Sequence, residues 1–304
     1  MIIQEIRQQY QKIIAKKNLT TTELDLLLQY IINKSPEFIL AHPEYTLSSK
    51  QQYQWTKYLN RLLQQEPIDY ITGQREFYGL NFSINKNTLI PRPETEMLVE
   101  SSLKIANNNP QAKISYLDIG TGSGNIIISI AKNTPPKQTN CKFYASDISS
   151  SALKIAQKNA LRHQTQILFQ QGPFLKPWQK KHFFTNDLQK NKIDILVIIA
   201  NLPYLSQKIY NQTSDKVKKY EPINALLSGI DGLQHYRIFL QEINSLTNLP
   251  PQTFIFLEIS PEQKTALFQE IPLLLSNHLP KTNVQKDLSG KYRLVTIKLT
   301  ENCP

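Results

Sequence analysis

The sequence predicts an α/β protein, with an open, mostly parallel sheet covered by helices on both faces and a small all-helical domain before it. Two observations carry this prediction. From about residue 114 onward, short apolar runs typical of buried strands alternate with helix-like segments, a pattern that gives a doubly wound sheet with ligands at the carboxyl ends of its strands. Before Gly73 the chain contains no glycine, and its apolar residues recur at helical spacing. A length of 304 residues suits about two domains.

Residues 1–72 are expected to form the helical domain. Apolar residues recur every three to four positions in its first segment, at Ile2, Ile3, Ile6, Tyr10, Ile13 and Ile14. Thr20 and Ser48 each precede a Glu or Gln by three residues, which is the spacing of a capping box at the start of a helix. We expect Trp55 and Tyr58 to belong to the core of this domain rather than to a binding surface.

The pattern changes between residues 73 and 92. Aromatic and β-branched residues alternate from Glu76 to Asn85, interrupted by Gly and Asn, which predicts a hairpin linker. Residues 93–304 are then expected to form the larger domain. Its predicted strands cover 114–119, 142–147, 166–170, 193–200 and 253–259, with a final pair near 284 and over 293–299. Its predicted helices begin near 123, 151 and 261, and another covers about 232–246.

Composition and charge place few limits on function. Apolar residues make up 40% of the chain, which indicates a globular protein, and the net charge is +11. Such a charge permits a nucleic-acid or acidic-protein partner, but a general bias towards Lys, Asn, Gln and Ile explains it equally well. Cys141 and Cys303 match neither a disulfide framework nor a metal spacing. Without a secretory leader or an apolar stretch approaching the roughly 20 residues of a membrane span, the chain is expected to be soluble and cytoplasmic, with no membrane partner.

The most informative segment is Asn201-Leu202-Pro203-Tyr204, which follows the apolar run 193–200. A run of this kind predicts a buried parallel strand whose carboxyl end opens into a site. The Asn201 side-chain oxygen and the Leu202 carbonyl can together accept both N–H bonds of a planar amide or exocyclic amine. Tyr204 can then stack on the flat face of that group. The alternative is an ordinary strand-to-loop turn, in which Asn and Pro are common.

A glycine-rich loop follows the first strand of the larger domain and opens a helix. Its predicted cofactor-binding residues are Asp118, Gly120, Thr121, Gly122, Ser123 and Gly124. Alternating glycines allow a sharp turn and a close ligand approach, and the helix N-terminus attracts an anionic group. A dinucleotide loop of the form G-x-G-x-x-G is the first rival, but its last position here is Asn125. A purely structural tight turn is the second.

Asp147 ends the next predicted strand. In a doubly wound sheet it should lie beside the glycine loop, where its two oxygens can accept both hydroxyls of a ribose. A carboxylate at this position would bind the ribose of NAD equally well. We call the segment Asn201 to Tyr204, with its two acceptors for an amine or amide, the clamp. It favours S-adenosyl-L-methionine, because hydride transfer does not require such a group. Asp118 is then expected to hold the methionine amine, directly or through water.

The chain resembles the peptide chain release factor glutamine methyltransferases, the HemK/PrmC family, over nearly its whole length. The shared segments are Glu66 to Gly73, Phe77 to Leu80, Leu89 to Glu96, the glycine loop, Asp147, the Asn-x-Pro-Tyr segment, Tyr220 to Pro222 with Ala225-Leu226, Asp231 to Leu233, and Leu257 to Ile259. The Pro-Arg-Pro-Glu-Thr-Glu segment, Pro91 to Glu96, and the linker before it are the most family-specific. Without the resemblance, that segment would indicate only a rigid connection into a helix.

The resemblance implies a Rossmann-like class I S-adenosylmethionine-dependent methyltransferase. Its substrate would be the glutamine of the Gly-Gly-Gln loop in peptide chain release factors, methylated on the side-chain amide nitrogen, which modulates translation termination. Asn201, Pro203 and Tyr204 would be catalytic, these three with Leu202 would contact the substrate, and Asn201 would also contact the cofactor. The helical domain would dock the release factor, and direct binding of nucleic acid would not be required.

The chain departs from the family pattern at two positions. Leu202 stands where the family usually has Pro, and the resulting Asn-Leu-Pro-Tyr form resembles the clamp of ribosomal RNA adenine dimethyltransferases. Gly172 replaces a commonly acidic residue beside the adenine and has no side chain to accept a bond from the adenine amino group. Pro173 or Phe174 is expected to form the wall against the adenine ring.

Two other functions remain open at this point. The basic charge and Leu202 favour an RNA or DNA adenine methyltransferase, and the altered adenine wall suggests a binding module without catalysis. No metal site is visible. Attack by an oriented amide requires no strong base, so no catalytic role is predicted for the histidines, which are His42, His163, His182, His235 and His278.

Overall fold

A computed structural model describes residues 1–17, 19–136, 138, 140–180, 183 and 188–300, without the side chains of 11–13, 15–17 and 300. Cys303, Lys181 and His182 lie outside the described residues. The chain forms two compact units. Unit 1 contains Met1–Gln74 together with Asp215–Tyr220, and unit 2 contains Arg75–Ser214 and the chain from Glu221 onward.

The helices and strands follow in chain order. The helices are α1 (Ile3–Lys17), α2 (Thr21–Ile32), α3 (Pro36–Ala41), α4 (Ser49–Leu63), α5 (Ile68–Thr72), α6 (Glu96–Asn108), α7 (Asn125–Asn133), α8 (Ser150–Arg162), α9 (Lys176–Lys180), α10 (Leu188–Lys190), α11 (Gln207–Gln212), α12 (Asp215–Tyr220), α13 (Gln234–Asn244) and α14 (Lys264–Leu274). The strands are β1 (Gln74–Phe77), β2 (Leu80–Ser83), β3 (Ile114–Ile119), β4 (Cys141–Asp147), β5 (Leu168–Gln171), β6 (Ile195–Ala200), β7 (Gln252–Glu258), β8 (Leu279–Lys286) and β9 (Tyr292–Thr300). Among the described residues, no helix combines the length and the apolar character needed to cross a membrane.

Unit 1 is helical, and both predicted capping boxes are present. The Thr20 and Ser48 hydroxyls accept backbone N–H bonds at 3.1 and 3.3 Å and begin α2 and α4. Trp55 is buried in the core, as predicted, and stacks on Tyr10 with ring centroids 6.2 Å apart. Tyr58 is only partly buried and packs against the edge of the same core. These contacts bury one continuous apolar cluster without any strand.

Helix α12 also belongs to unit 1, although the sequence analysis included its residues in the larger domain. The Lys216 ammonium donates to Glu23 at 2.6 Å, and the Tyr220 hydroxyl donates to the Gln64 carbonyl at 2.9 Å. Periodicity could not reveal this assignment, because a helix of six residues buries no side chain fully.

Unit 2 is built on a seven-stranded sheet in the order β5-β4-β3-β6-β7-β9-β8. The first five of these strands pair in parallel, and β9 joins antiparallel to β7. Strands β3 and β6 are buried along their full length, as expected for central strands with helices on both faces. The predicted open, mostly parallel sheet is confirmed. Strands β1 and β2 form a separate two-stranded sheet within the predicted linker.

The pairing register of β3 with β4 and β6 places the predicted site residues at one edge of the sheet. Ile119 at the end of β3 pairs with Ser146 on β4 and with Ala200 on β6. The residues that follow these three positions therefore leave the sheet side by side. The order of the strands reverses between β3 and β6, and such a switch point is where ligands bind in open α/β sheets.

Candidate active site

A cavity of about 380 Å³ opens at this edge of the sheet, a size within the range of small-molecule sites. Most of the predicted site residues line it. These are Gly120, Thr121, Gly122, Ser123, Asp147, Pro173, Phe174, Asn201, Leu202 and Pro203. Asp118, Gly124 and Tyr204 are not part of its wall, and their roles stay predictions.

The glycine loop has the predicted conformation. Gly122 has a φ of +57°, and a Cβ built there meets no atom within 4 Å. The space on that side is free for a ligand, while a side chain would be strained by the positive φ. Behind the loop, Gly124 faces Ile128 and Ala156, which explains why it serves packing instead of lining the cavity.

Asp118 lies beneath the loop and is fully buried. Its Oδ2 accepts the Thr121 hydroxyl at 2.6 Å, and its Oδ1 has no hydrogen-bond partner among the described residues. Burial raises the pKa of Asp118 to about 7, against the lowering effect of the Thr121 hydrogen bond. A buried carboxylate oxygen without a partner fits a nearby ammonium group, such as the amine of S-adenosylmethionine.

Asp147 connects the loop to the end of β4. Its Oδ2 accepts the Gly122 N–H at 2.8 Å, and its Oδ1 accepts the Ser149 N–H at 2.8 Å. Burial raises the pKa of this carboxyl, and the two backbone hydrogen bonds oppose that rise. Each oxygen keeps a further lone pair for a ribose hydroxyl. The open glycine loop, the unpartnered Asp118 oxygen and Asp147 together fit S-adenosylmethionine.

The clamp residues point in two directions. The Asn201 side-chain nitrogen donates to the Thr95 hydroxyl at 3.3 Å, which leaves its Oδ1 as an acceptor at the cavity. Tyr204 turns away, because its hydroxyl donates to Glu258 at 3.1 Å and its ring packs against the core. Burial and the Glu258 charge raise the pKa of Tyr204, so it remains a neutral phenol. The stacking role of Tyr204 stays a prediction.

The two residues predicted to form the adenine wall line the cavity, next to a residue that the sequence analysis missed. Pro173 and Phe174 line the cavity, and the Phe174 ring lies 5.9 Å from that of His235. The Ser228 hydroxyl oxygen accepts the His235 backbone N–H at 3.0 Å and contacts His235 Nδ1 at 2.7 Å. Burial lowers the pKa of His235. No spacing in the sequence indicates this position.

An ion pair joins two family-specific segments at the cavity. Arg92 donates to Glu221 at 2.6 Å, and the other Glu221 oxygen accepts the Ile90 N–H at 3.4 Å. Pro91, Arg92 and Pro222 line the cavity beside this pair. The Pro-Arg-Pro-Glu-Thr-Glu segment is therefore more than a rigid connection, since it forms part of the wall. Among the described residues, no three His, Cys, Asp or Glu side chains are grouped so that they could hold a metal ion.

Comparison with known proteins agrees with this geometry. Residues 5–73 match the PrmC N-terminal domain, and residues 110–264 match a family described as methyltransferase domain. The catalytic domain of hMettl16, solved in complex with a MAT2A 3'UTR hairpin, superposes with a TM-score of 0.53 at 14% identity and covers 90% of this chain and 91% of that one. At this identity the likeness concerns the fold alone, which is that of class I methyltransferases.

Two relatives carry more information. A release factor glutamine methyltransferase of Enterococcus faecalis is 37% identical over 256 residues, which are 84% of this chain and 84% of that protein. A bifunctional methyltransferase of Rickettsia felis is 35% identical over 302 residues, 90% of this chain, and the chain spans about half of its length (53%). The cavity, its clamp and these relatives lead to one conclusion: the chain belongs to the family of release factor glutamine methyltransferases.

Proposed function

We propose that the protein transfers a methyl group from S-adenosyl-L-methionine to the side-chain amide nitrogen of the glutamine in the Gly-Gly-Gln motif of peptide chain release factors. One observation carries the proposal. Asn201 holds its amide nitrogen against Thr95 and leaves its oxygen as an acceptor at the cavity beside the glycine loop. This modification modulates translation termination, and that role places the protein in the cytoplasm.

The chemistry requires an oriented nucleophile. A carboxamide nitrogen is a poor nucleophile because its lone pair is delocalised into the carbonyl. Asn201 Oδ1 and the Leu202 carbonyl can accept its two hydrogens, which orients the nitrogen and raises its electron density. Holding two reactants in line contributes effective molarities on the order of 10⁵ M. When bound, S-adenosylmethionine supplies the electrophilic sulfonium methyl group.

The replacement of proline by Leu202 leaves this arrangement intact. The acceptor is a backbone carbonyl, which every residue possesses, and the Leu202 side chain is buried next to Gly120. What the chain loses is the fixed φ of proline.

We further propose that the chain works in the three parts that the sequence predicts. Residues 1–72 dock the release factor, residues 73–92 are the linker, and residues 93–304 carry the methyl transfer. The described helices of unit 1 and the sheet of unit 2 support this division, except that Asp215–Tyr220 belong to unit 1 and add to the proposed docking domain.

Mass spectrometry of a Gly-Gly-Gln peptide and of an intact release factor, after incubation with enzyme and cofactor, tests the proposed function. We expect one added methyl group on the glutamine. The clamp with Leu202 and the net charge of +11 favour adenine in RNA as the second candidate, so total RNA is a parallel substrate. Methylation of RNA alone, or of no substrate, would contradict the proposal.

We expect Asp147→Ala to weaken S-adenosylmethionine binding by about ten- to a hundredfold, since a hydrogen bond to a charged group contributes about 1.5–3 kcal/mol. The variant loses the ribose acceptors and also the bonds that hold Gly122 and Ser149. Isothermal titration calorimetry measures the Kd. Asp147→Asn is the matched control, because it keeps one acceptor oxygen and should bind with intermediate affinity. A Kd unchanged in the alanine variant would refute the ribose role.

Cofactor binding is expected to weaken as the pH falls below about 7, because the pKa of Asp118 is raised to about 7 by burial. Below that pH the free protein carries a neutral Asp118, which must lose its proton before it can attract the positive charges of the cofactor. Affinity should therefore fall by up to about tenfold per pH unit. Titrations from pH 8 to pH 5 measure this slope. Asp118→Asn should remove most of it, and an equally steep slope in that variant would rule out Asp118.

A further inference from the structure

The Thr95 hydroxyl lies in an unusual place for a residue at the start of a helix. Thr95 occupies the position just before α6, where a threonine side chain commonly accepts a backbone N–H of the first turn. Here the side chain makes no such bond. It is buried, with 2% of its surface exposed, and its oxygen instead accepts the Asn201 side-chain N–H at 3.3 Å, from a residue 106 positions away.

A second buried group decides the direction of this hydrogen bond. Glu258 is buried at the end of β7, where burial raises the pKa of its carboxyl and the neighbouring Thr95 hydroxyl opposes that rise. Glu258 Oε1 accepts the Tyr204 hydroxyl at 3.1 Å, and Oε2 has no hydrogen-bond partner among the described residues, so it is open to a neighbouring hydroxyl. In its ionised form Glu258 only accepts, so it can take the single proton of the Thr95 hydroxyl and leave the hydroxyl oxygen as the acceptor for the Asn201 N–H that the structure shows. The hydroxyl oxygen can then only accept from Asn201.

The orientation of the Asn201 amide follows from this chain of hydrogen bonds. With its proton committed to Glu258, Thr95 selects the NH₂ end of the Asn201 amide. The Oδ1 end therefore faces the cavity. In the flipped orientation the NH₂ group would meet the NH₂ group of the substrate, donor against donor, and no transfer geometry would form.

We propose that Thr95, supported by Glu258, is a positioning residue that fixes the amide of Asn201 with its oxygen towards the methyl acceptor. The benefit to catalysis rests on the proposed function, since it requires an amide or amine substrate. The orientation of Asn201 itself does not depend on which substrate is methylated. The two parts of the proposal can therefore be tested separately.

Thr95→Val and Thr95→Ser form the matched pair for the kinetic test. Valine has the shape of threonine without the hydroxyl, whereas serine keeps the hydroxyl and loses a methyl group. We expect Val to lower kcat by about ten- to a hundredfold, because small errors of position cost up to about 10² in rate. Ser should stay within about threefold of the parent, and the Kd for S-adenosylmethionine should be unchanged in both. If the Thr95→Val variant fails to bind the cofactor, Thr95→Ala replaces it in the comparison. The kcat of Thr95→Ser is then expected to be well above that of Thr95→Ala.

Nitrogen-15 NMR of the Asn201 side-chain amide tests the orientation without any substrate. Asn201→Asp assigns the two NH₂ signals by their loss. In the parent and in Thr95→Ser we expect one of the two hydrogens to be protected from exchange. In Thr95→Val, or in Thr95→Ala where that replaces it, this protection should be lost. Identical Asn201 signals in parent and variant, or equal kcat, would overturn the proposal. A parent that methylates no release factor but shows the expected NMR change would reject the proposed function and leave the orientation standing.

Discussion

Asn201→Ala is expected to lower kcat by about a hundredfold or more, while the Kd for S-adenosylmethionine changes by less than about threefold. In the proposed mechanism the side chain provides one of the two acceptors that orient the nucleophile, and loss of alignment at this level removes most of the advantage of proximity. The cofactor contacts predicted at the glycine loop and Asp147 remain in place. The loss should therefore fall on kcat, because the interaction acts on the reacting nitrogen.

Single-turnover methylation of the release factor peptide measures the effect, with calorimetry for the cofactor. Asn107→Ala is the matched control, since Asn107 is an exposed residue at the end of α6 and its removal should leave kcat and Kd unaltered. If Asn201→Ala and the parent methylate at the same rate, the clamp has no part in the reaction.

Gly232→Ala is expected to have the largest effect on stability, about 3 kcal/mol, through overpacking and backbone strain. A Cβ at this position would lie 2.4 Å from the Tyr204 carbonyl oxygen and 2.7 Å from Gln263 Nε2. Its φ of +82° adds strain for any side chain. The backbone after Asp231 is thus packed directly on the end of the clamp segment, and Gln263 bridges the Tyr204 and Gly232 carbonyls at 2.9 and 2.7 Å.

Thermal unfolding measures this loss, and we expect a Tm lower by about 6 °C or more. Gly290→Ala is the control, because Gly290 has a φ of +80° but a Cβ there meets no atom within 4 Å. It should cost only the strain, about 1 kcal/mol. Equal losses in the two variants would show that contact with the clamp contributes nothing at Gly232. Activity measured below the Tm should also fall in Gly232→Ala alone, because the clamp is displaced.

The sequence predicts the sheet well because its central strands are mostly apolar and are buried along their full length. Residues 195–200 of the predicted run form β6, which is buried along its whole length; the glycine loop follows β3 and Asp147 ends β4, as expected. Edge strands depend on fewer apolar residues, so the prediction of 166–170 is displaced against the observed β5, Leu168–Gln171. The final strand pair is found as an antiparallel hairpin.

Side-chain direction could not be predicted in the same way. Nothing in the clamp segment tells that Asn201 faces the cavity while Tyr204 turns to Glu258, because both directions depend on partners more than 50 positions away. Likewise, Asp118 belongs to the predicted loop but lies beneath it, held by Thr121. Spacing reveals which residues share an edge of the sheet, and tertiary contacts decide which of them reach the ligand.

The membership of α12 in unit 1 has a practical consequence for anyone who dissects this enzyme. The chain passes from unit 2 into unit 1 and back within a few residues, so no single cleavage separates two intact halves. An isolated 1–74 peptide would leave Glu23 and the Gln64 carbonyl without Lys216 and Tyr220. Binding assays with such a peptide would measure an incomplete surface, and a fusion that supplies 215–220 through a short tether is the appropriate reagent.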